Sequence, residues 1–276
     1  MTINCKGSLI DLSTPKVMGI LNLTPDSFYD GGKYKDESQI LHQAEKMLRE
    51  GATFIDLGAY SSRPGADHIS IEEEENRILP IITLLLSKFP NIILSIDTFR
   101  SKIAKQCIEA GASIINDISA GSLDKEMIKT VGELKVPYIM MHMKGTPQTM
   151  KSLNQYDNLI KDVQLYFSKK IIEARKEGIN DIIIDPGFGF AKNIDQNFEL
   201  LKKLDLFNLQ GLPILVGVSR KSMIYKSLKI DPSKSLNGTT SLNTIALLKG
   251  ASILRVHDVK EAMECITLMN KYKVQT

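Results

Sequence analysis

Residues 159–185 read LIKDVQLYFSKKIIEARKEGINDIIID, and they contain a pattern that recurs along the chain. The first part has helical periodicity as far as residue 177. It is followed by Gly178, a residue type that often ends helices because it adopts left-handed backbone angles without strain. A short β-branched run at 182–184 then ends in Asp185. The stretch therefore predicts a helix, a glycine turn and a buried strand that ends in a polar side chain.

Apolar, mostly β-branched runs of this kind recur through the sequence. They lie at residues 17–21, 53–57, 92–96, 113–115, 138–141, 182–184, 214–218 and 252–256. They lack polar alternation, as expected of parallel strands that are covered on both faces. Most gaps between them hold helical patterns, several of which stop at a glycine: Gly51, Gly111, Gly178 and Gly250. Ser70 and Glu73 have the spacing of a capping box, which predicts another helix start at Ser70.

This repetition over 276 residues favours a closed α/β structure, the (β/α)8 or TIM barrel, with residues 1–276 as a single domain. An open, doubly wound sheet is the alternative at this stage. No G-x-G-x-x-G motif follows the first run, so a dinucleotide-binding sheet is the less favoured of the two.

The composition is that of a globular protein, with 43% hydrophobic and 24% charged residues. A net charge of +3 without a cluster of Lys and Arg argues against nucleic acid as a partner and favours a local anion site. No stretch approaches the roughly 20 apolar residues of a membrane span, and no apolar signal segment opens the chain. The three cysteines are far apart and lack metal-ligand spacing, so we expect a reduced, cytoplasmic protein.

Polar side chains follow nearly all of the apolar runs. In chain order they are Asn22, the loop after Gly58, Asp97, Asn116 with Asp117, His142, Asp185, Ser219 to Lys221, and Arg255 with His257. The carboxyl ends of the strands of a parallel barrel open onto one face, so these side chains should surround one mouth. A single Asp or Asn could equally cap the next helix. Polar residues at nearly every strand end are harder to explain by capping, and they predict a binding site.

One part of the predicted mouth suits a flat heterocycle. Asp97, Asn116 and Asp185 offer acceptors and one amide, which match a ring rich in N–H donors. Lys221 adds a cation that can meet a ring carbonyl or ring nitrogen. His142 is interpreted as a polar residue that fills a gap at the rim, in preference to a catalytic group.

The other part of the mouth suits a phosphate. Arg63, Arg255 and His257 supply cationic donors, and the planar fork of arginine matches phosphate oxygens. Asn22 offers a hard oxygen suited to a Mg²⁺ that already carries phosphate oxygens. Asn22 alone would more often cap a turn, but the neighbouring anion pocket favours the metal.

Two connections are unusually long for turns between a strand and a helix: residues 24–36 and 60–70. The first contains Phe28 and paired glycines, and the second contains the sequence SSRPG at 61–65. Loops of this kind at the active face can close over a bound substrate, and we favour that role over a surface excursion without function.

Long motifs of the sequence resemble those of the dihydropteroate synthases and follow in that family's order. They are 20–28 (ILNLTPDSF) with 30–32 (DGG), 56–66 (DLGAYSSRPGA), 95–98 (SIDT), 115–118 (INDI), 185–190 (DPGFGF), 217–222 (GVSRKS) and 255–258 (RVHD). Two departures occur: Ser62 stands where the family usually has threonine, and Ala59-Tyr60 follows Gly58 where many members have a second glycine. Neither removes a charge or a donor, so activity is not put in doubt.

The resemblance implies a transferase of folate biosynthesis. It would condense 6-hydroxymethyl-7,8-dihydropterin diphosphate with 4-aminobenzoate, release pyrophosphate, use Mg²⁺ and bind sulfonamides, which are aminobenzoate analogues. Family members are commonly homodimers, and the exposed faces of 240–249 and 259–271 are the expected contact. The implied catalytic groups are Asp97, Lys221, Arg63 and Arg255.

The resemblance also implies a role for each matching position. The pterin would contact Asp97, Asn116, Asp185, Lys221, Met140 and Gly217. The pyrophosphate would contact Asn22, Arg63, Arg255 and His257, with Asn22 also as the metal ligand. The aminobenzoate would contact Phe28, Ser62, Arg63, Pro64, Phe190, Lys221 and Ser222.

Three other functions are less favoured. Pterin-binding modules of corrinoid-dependent methyltransferases share the fold and the ring-binding set, but they lack the Ser-Arg-Pro-Gly loop and the pairs Lys221-Ser222 and Arg255-x-His257 that are present here. An aldolase-type barrel would need a Schiff-base lysine inside a strand, whereas Lys221 follows one. An inactive paralogue is disfavoured by the complete set of motifs.

Overall fold

A computed structural model of the chain describes residues 1–23, 33–60 and 68–274. The strands are β1 (Thr2–Cys5), β2 (Ser8–Asp11), β3 (Lys16–Asn22), β4 (Phe54–Gly58), β5 (Leu94–Asp97), β6 (Ile114–Asp117), β7 (Tyr138–Met141), β8 (Ile182–Asp185), β9 (Leu215–Val216) and β10 (Ile253–Val256). The α-helices are α1 (Lys33–Arg49), α2 (Ile71–Lys88), α3 (Ser101–Glu109), α4 (Met127–Leu134), α5 (Leu159–Lys176), α6 (Ile194–Lys202), α7 (Ser222–Leu228), α8 (Leu236–Leu248) and α9 (Val259–Val274). Among the described helices, none combines the length and the apolar character needed to cross a membrane.

Strands β3 to β10 form one parallel, 8-stranded barrel. The hydrogen-bonded order is β8-β7-β6-β5-β4-β3-β10-β9. A parallel bridge between Ile184 and Ile214 joins the two ends of that order and closes the barrel. These strands coincide with the eight apolar runs of the sequence, so the predicted barrel is confirmed and the open sheet is wrong.

Successive residues of each strand face opposite sides of the barrel wall. One set, which includes Val17, Ile55 and Ile96, packs against the surrounding helices in the main hydrophobic core. The other set faces the barrel interior, where apolar side chains such as Met18 and Phe54 form a separate cluster at the amino-terminal end. Both faces are therefore covered, which explains why the runs lack polar alternation.

An antiparallel hairpin of β1 and β2 closes the amino-terminal end of the barrel. Its Ile3 and Cys5 pack in the interior cluster with residues of the barrel strands: Met18, Phe54, Ile114, Ile139, Ile183, Leu215 and Ile253. The backbone N–H of Asn4 donates to Oδ2 of Asp181 at 2.9 Å, which ties the hairpin to the rim. The hairpin is not predicted from the sequence, because each of its strands has only four residues.

The glycines predicted to end helices take the backbone conformation that this role requires. Their φ angles are positive: 102° at Gly51, 121° at Gly111, 81° at Gly178 and 95° at Gly250. At Gly111 a Cβ atom would also lie 2.3 Å from Cδ1 of Leu86, so the close packing of α2 on this turn excludes any side chain. The predicted ends of these helices are confirmed to within one or two residues.

Ser70 is the amino-terminal cap of α2, as predicted. Its Oγ accepts the backbone N–H of Glu73 at 3.0 Å. In a capping box the Glu73 side chain would also accept the backbone N–H of Ser70. Here the Glu73 carboxylate pairs instead with Arg77, one helical turn further on. The helix start is therefore confirmed through one of its two expected hydrogen bonds.

Replacing Ile3 with alanine should lower the free energy of unfolding by about 2–5 kcal/mol, because the change leaves a cavity where the hairpin closes the barrel. Ile3 is 2% exposed, whereas Leu9 in the other strand of the hairpin is 73% exposed. Leu9→Ala is therefore the matched control and should change stability by less than about 0.5 kcal/mol. Urea unfolding followed by circular dichroism measures both variants. Equal losses would contradict the closing role of the hairpin.

Candidate active site

The polar strand ends predicted from the sequence meet in the carboxyl-terminal mouth of the barrel. Asp97 ends β5, Asn116 lies in β6 and Arg255 lies in β10. Their side chains point inward, because they are linked by hydrogen bonds that cross the mouth. Asp185 ends β8 and interacts electrostatically with both Arg255 and Lys221. The mouth therefore contains the predicted carboxylates Asp97 and Asp185 and two of the predicted cations, Arg255 and Lys221.

A buried aspartate in β4 organises this mouth. Oδ2 of Asp56 accepts hydrogen bonds from Nδ2 of Asn116 at 3.0 Å and from Nε of Arg255 at 2.6 Å. Nη2 of Arg255 donates to Oδ2 of Asp97 at 2.8 Å, so one guanidinium joins two carboxylates. Asp56 is 0% exposed, and these hydrogen bonds offset the cost of burying its carboxylate. Arg255 therefore links the group of residues predicted to bind the ring with the group predicted to bind the phosphate.

The charges of this network are set by burial and by one another. Burial raises the pKa of Asp97 to about 7, the Arg255 guanidinium acts in the opposite direction, and Asp56 raises it further. Burial lowers the pKa of Arg255, but Asp56 and Asp97 outweigh burial and leave it above its ordinary value. Arg255 is therefore a permanent cation, whereas Asp97 can gain or lose a proton near neutral pH.

Lys221 and Asp185 are neighbouring charges on the other side of the mouth. Burial lowers the pKa of Lys221 to about 8, while Asp185 acts in the opposite direction. Burial also raises the pKa of Asp185, although Lys221 and the N–H of Gly187 oppose this effect. Nζ of Lys221 donates to the carbonyl oxygen of Phe188 and lies 4.7 Å from the ring centre of Phe190. The structure thus brings the predicted residues Asp185, Lys221 and Phe190 together, and Ser222 follows Lys221 as the first residue of α7.

Asn22 lies beside Asp97, with Gly58 between them. A Cβ atom at Gly58 would lie 3.6 Å from Oδ2 of Asp97 and 3.7 Å from Oδ1 of Asn22. The glycine therefore leaves space between two hard oxygens, which fits a Mg²⁺ that takes its other ligands from phosphate and water. Within residues 1–23, 33–60 and 68–274, no three His, Cys, Asp or Glu side chains are grouped as metal ligands.

His257 is oriented by a serine of the adjacent connection. Its Nδ1 lies 3.0 Å from Oγ of Ser219, and its backbone N–H donates to the same oxygen at 3.3 Å. Arg220, which follows Ser219, instead pairs with Asp258: its Nη2 donates to Oδ1 at 2.6 Å. Of the two adjacent cations Arg220 and Lys221, only Lys221 is directed toward the mouth within the described part of the chain.

Met140 is not brought to the mouth with the other residues predicted for the pterin. It is fully buried in the core between barrel and helices. Met141, which is in register with the inward-facing Asp185, instead belongs to the apolar cluster that includes Phe190. Gly217 does lie in the mouth, where a Cβ atom would be 3.8 Å from Cβ of Arg255. The methionine of β7 at the mouth is therefore Met141.

Four predicted aminobenzoate or phosphate residues lie outside the described ranges: Phe28, Ser62, Arg63 and Pro64. Most of the two long connections predicted to close over the substrate lie outside them as well. Their roles stay predictions. Beside the second connection, the Tyr60 hydroxyl lies 3.1 Å from Nδ1 of His68.

Two of the polar strand ends stabilise connections of the fold. Asp117 accepts the backbone N–H of Ser119 and the hydroxyl of Tyr138, both at 2.7 Å. His142 is 2% exposed, and its Nδ1 lies 3.0 Å from Nζ of Lys192. The interpretation of His142 as a residue that fills a polar gap therefore agrees with its surroundings, but its lysine partner was not predicted.

Comparisons with known proteins place this site in a family. The sequence profile described as pterin binding enzyme matches residues 18–257. The chain is 41% identical over 271 residues to the dihydropteroate synthase of Escherichia coli K12, which covers 98% of this chain and 95% of that protein. The chain belongs to the dihydropteroate synthases, within the pterin-binding enzymes. The family predicted from the sequence motifs is confirmed.

Solved structures of dihydropteroate synthases share the whole architecture. The enzyme of Yersinia pestis in a sulfonamide drug complex has a TM-score of 0.93 at 39% identity, covering 99% of this chain and 100% of that chain. The enzyme of Xanthomonas albilineans with 4-aminobenzoic acid has a TM-score of 0.92 at 34% identity, covering 99% and 98%. The agreement extends from the amino-terminal hairpin to α9, beyond the residues matched by the family profile.

Asp56 is not among the residues predicted for the site, although it lies within the motif at 56–66. The signal that could have identified it is a carboxylate inside the otherwise apolar run at 53–57. Aspartate is seldom fully buried unless it is paired, so its position in a barrel strand requires a cation or several donors nearby. Arg255 and Asn116 meet that requirement.

Replacing Arg255 with alanine should lower the free energy of unfolding by about 3–5 kcal/mol at neutral pH, because Asp56 and Asp97 are left buried without their cation. Loss of the guanidinium raises the pKa of Asp97 further above its value in the unfolded chain. A carboxyl group with a raised pKa in the folded state destabilises that state above its unfolded pKa, so the loss should shrink as the pH falls.

Urea unfolding of Arg255→Ala at neutral and at mildly acidic pH measures this dependence. The double variant Arg255→Ala/Asp97→Asn is the control and should recover part of the lost stability at neutral pH. A loss that is independent of pH and is not reduced by Asp97→Asn would contradict the paired-charge network.

Proposed function

We propose that the chain condenses 6-hydroxymethyl-7,8-dihydropterin diphosphate with 4-aminobenzoate, giving 7,8-dihydropteroate and pyrophosphate for folate biosynthesis. The observation that carries this proposal is the hydrogen-bonded set of Asn116, Asp56, Arg255 and Asp97 at the mouth of a dihydropteroate synthase barrel. Its acceptors suit the N–H groups of a pterin, and its cation suits the diphosphate.

The pterin ring is assigned to the carboxylate and amide side of the mouth. Asp97, Asn116 and Asp185 would accept from ring N–H groups, and Lys221 would donate to a ring carbonyl or ring nitrogen. The burial of Asn116 and Asp185 supports the assignment, because hydrogen bonds to charged groups are stronger out of water. The ring would lie against Gly217 and Met141, which takes the lining role that the sequence assigned to Met140.

The diphosphate is assigned to Arg255, His257 and Asn22, with Arg63 added from the family resemblance. Nε and Nη2 of Arg255 are engaged by carboxylates, while Nη1 has no hydrogen-bond partner among the described residues and can donate to a phosphate oxygen. Fixing the guanidinium in this way removes much of the entropy cost of binding.

Mg²⁺ is the proposed cofactor, held by Oδ1 of Asn22 in the space that Gly58 leaves beside Asp97. When bound, the ion would offset the charge of the departing pyrophosphate as a Lewis acid. Asn22 supplies one neutral ligand, so affinity for the ion would depend on substrate phosphates and water, as is usual for Mg²⁺ sites of this kind.

The aminobenzoate is assigned to the side of the mouth formed by Phe190, Lys221 and Ser222. Phe190 and the ammonium of Lys221 would contact its ring and carboxylate. The family resemblance adds Phe28, Ser62, Arg63 and Pro64. The solved Xanthomonas albilineans enzyme holds 4-aminobenzoic acid and the Yersinia pestis enzyme holds a sulfonamide drug, so we propose that both ligand classes bind here.

The reaction would begin with cleavage of the bond between the exocyclic carbon and the diphosphate oxygen. The electron pair leaves with pyrophosphate, and the electron-rich dihydropterin ring delocalises the positive charge on carbon. Ionised Asp97 would stabilise that charge, while Arg255 would stabilise the departing anion. The aromatic amine is uncharged at neutral pH. Its nitrogen lone pair forms the new carbon–nitrogen bond, and its proton passes to solvent, so no strong general base is needed.

A homodimer is proposed through the outer faces of α8 and α9. Leu248, Leu268 and Tyr272 are 54%, 71% and 67% exposed on these helices. If these apolar side chains form one contiguous patch, that patch is the expected contact surface. Sedimentation equilibrium measures the oligomeric state, and a monomer at micromolar concentration would count against this interface.

The cytoplasm is the proposed location, and residues 1–276 are proposed to act as one domain. Cys5, Cys107 and Cys265 are free and buried, which is typical of reducing compartments. The hairpin supports a single domain, because it packs into the end of the barrel. The location is tested by fractionating cells and measuring the enzyme activity in each fraction.

A coupled assay for pyrophosphate tests the proposed function. The purified chain should release pyrophosphate only when the pterin diphosphate and 4-aminobenzoate are both present, and a chelator of Mg²⁺ should suppress the release. Release of pyrophosphate without 4-aminobenzoate, or no release when both substrates are present, would overturn the proposal. Full activity in the presence of chelator would overturn the metal assignment alone.

Replacing Asp97 with asparagine should lower single-turnover rate on the order of a hundredfold, because the variant loses the anion that stabilises the developing cation. Pterin affinity should fall much less, since an amide still offers an acceptor to the ring. Isothermal titration gives the affinity and rapid-quench measurement gives the rate. An intact rate combined with lost affinity would show that Asp97 only binds the ring.

The pH dependence of kcat/KM for the pterin diphosphate should be bell-shaped. The rate constant should rise as the pH passes about 7, where Asp97 loses its proton, and should fall above about 8, where Lys221 loses its own. Initial rates in a buffer of constant ionic strength measure the profile. Asp97→Asn should lack the acidic limb, and an acidic limb that persists in this variant would assign it to another group.

A further inference from the structure

A turn of unusual backbone geometry joins β8 to α6 and links the two halves of the proposed site. It begins after Asp185, assigned to the pterin, and contains Phe190, assigned to the aminobenzoate. Three of its residues have positive φ angles: 73° at Gly187, 80° at Gly189 and 48° at Ala191. A turn with this many left-handed residues needs contacts outside its own backbone to hold one conformation.

Two lysines hold the carbonyl groups of this turn. Nζ of Lys192 donates to the carbonyl oxygens of Gly187 at 3.0 Å and Phe190 at 3.1 Å. Nζ of Lys221 donates to the carbonyl oxygen between them, that of Phe188. The proposed reaction gives Lys221 a second task, since it must donate to the pterin ring. Its hydrogen bond to Phe188 is therefore the one that would be exchanged on substrate binding.

Lys192 has no comparable alternative partner. Its third contact is Nδ1 of His142, at 3.0 Å, so its three N–H donors are matched by three acceptors. Lys192 and His142 are 9% and 2% exposed. Burial and the ammonium of Lys192 hold the pKa of His142 well below its ordinary value, so the imidazole is neutral and can accept at Nδ1. The backbone of His142 also packs on the turn: a Cβ atom at Gly187 would lie 2.1 Å from its carbonyl oxygen.

We propose that Lys192, fixed by His142, is a positioning residue that keeps the turn in place when Lys221 transfers its hydrogen bond to the pterin. Phe190 then remains at the aminobenzoate side of the mouth while the pterin side is occupied. Lys192 contacts neither substrate. This inference rests on the proposed function for the assignment of the two substrates, and on the contacts above for the turn.

The variant Lys192→Met tests this role, because methionine keeps the length of the side chain and removes the donors. The KM for 4-aminobenzoate should rise about tenfold or more, because both hydrogen bonds from Lys192 to the turn are lost. The Kd of the pterin diphosphate, measured by titration without aminobenzoate, should change far less. An equal loss for both ligands, or no change in either, would overturn the inference.

Lys203→Met is the matched control, since Lys203 pairs with Glu199 and its side chain is 46% exposed. It should leave both constants unchanged. His142→Asn places an amide oxygen near the position of Nδ1 and should retain most of the aminobenzoate affinity, whereas His142→Leu should behave like Lys192→Met. Failure of asparagine to perform better than leucine would assign His142 a packing role and overturn its part in the proposal.

Two measurements do not depend on activity. In ¹⁵N spectra of histidine-labelled wild-type protein, His142 should stay in the neutral Nε2–H tautomer at pH values where an exposed histidine is protonated. Its protonation in that range would overturn the inference even if Lys192→Met failed to fold. The N–H of Phe190, which donates to Gly187 at 3.1 Å, should exchange with deuterium faster in Lys192→Met than in Lys203→Met. If the wild type released no pyrophosphate, the proposed function would fail, while these measurements would still decide the role of Lys192.

Discussion

The guanidinium of Arg255, held between Asp56 and Asp97, is the interaction on which the mouth of the barrel depends. The Asp56 side chain is fully buried and the Asp97 side chain is 15% exposed, and the guanidinium offsets the cost of removing both carboxylates from water. The same cation fixes the orientation of both carboxylates. Asn116 of β6 also donates to Asp56, so the hydrogen-bonded network includes that strand as well. Binding a substrate therefore requires little rearrangement of protein dipoles, which is the physical basis of electrostatic catalysis.

The strands that supply this network also supply the apolar interior of the barrel. Along β4 the inward-facing residues change from Phe54 in the apolar lower layer to Asp56 in the polar upper layer. The apolar layer excludes water from below, and this exclusion raises the pKa of Asp97 toward neutrality. The apolar layer that stabilises the barrel and the polar layer proposed to bind the substrates thus lie at different heights along the barrel axis. Only a few residues of each strand separate them. In the turn after β8, both Lys192 and Lys221 donate hydrogen bonds to backbone carbonyls, and Lys221 is also the lysine that we assign to the substrates.

The barrel could be predicted because strands covered on both faces leave continuous apolar runs, and because glycine marks the helix ends. The mouth could be predicted from strand ends, since alternation around a closed barrel brings them together. Which side chains of a strand face the barrel interior was harder to predict. The run at 138–141 is wholly apolar, so nothing in it distinguishes Met140 from Met141. Asp56 was hidden because its partners, Asn116 and Arg255, are distant in sequence. The contact of Lys192 with His142 depends on tertiary packing in the same way, and the roles assigned within 24–32 and 61–67 stay predictions.

The amino-terminal hairpin has a consequence for synthesis on the ribosome. Ile3 and Cys5 pack against Leu215 and Ile253, which follow about 210 and 250 residues later and so emerge on the order of tens of seconds after them. During that interval the interior cluster that covers the hairpin is incomplete, and an incomplete barrel exposes strand edges to other nascent chains. The last strands therefore complete the wall and cover the first segment in one late event. Folding of this chain is expected to be strongly cooperative, with little stable structure in fragments that lack β9 and β10.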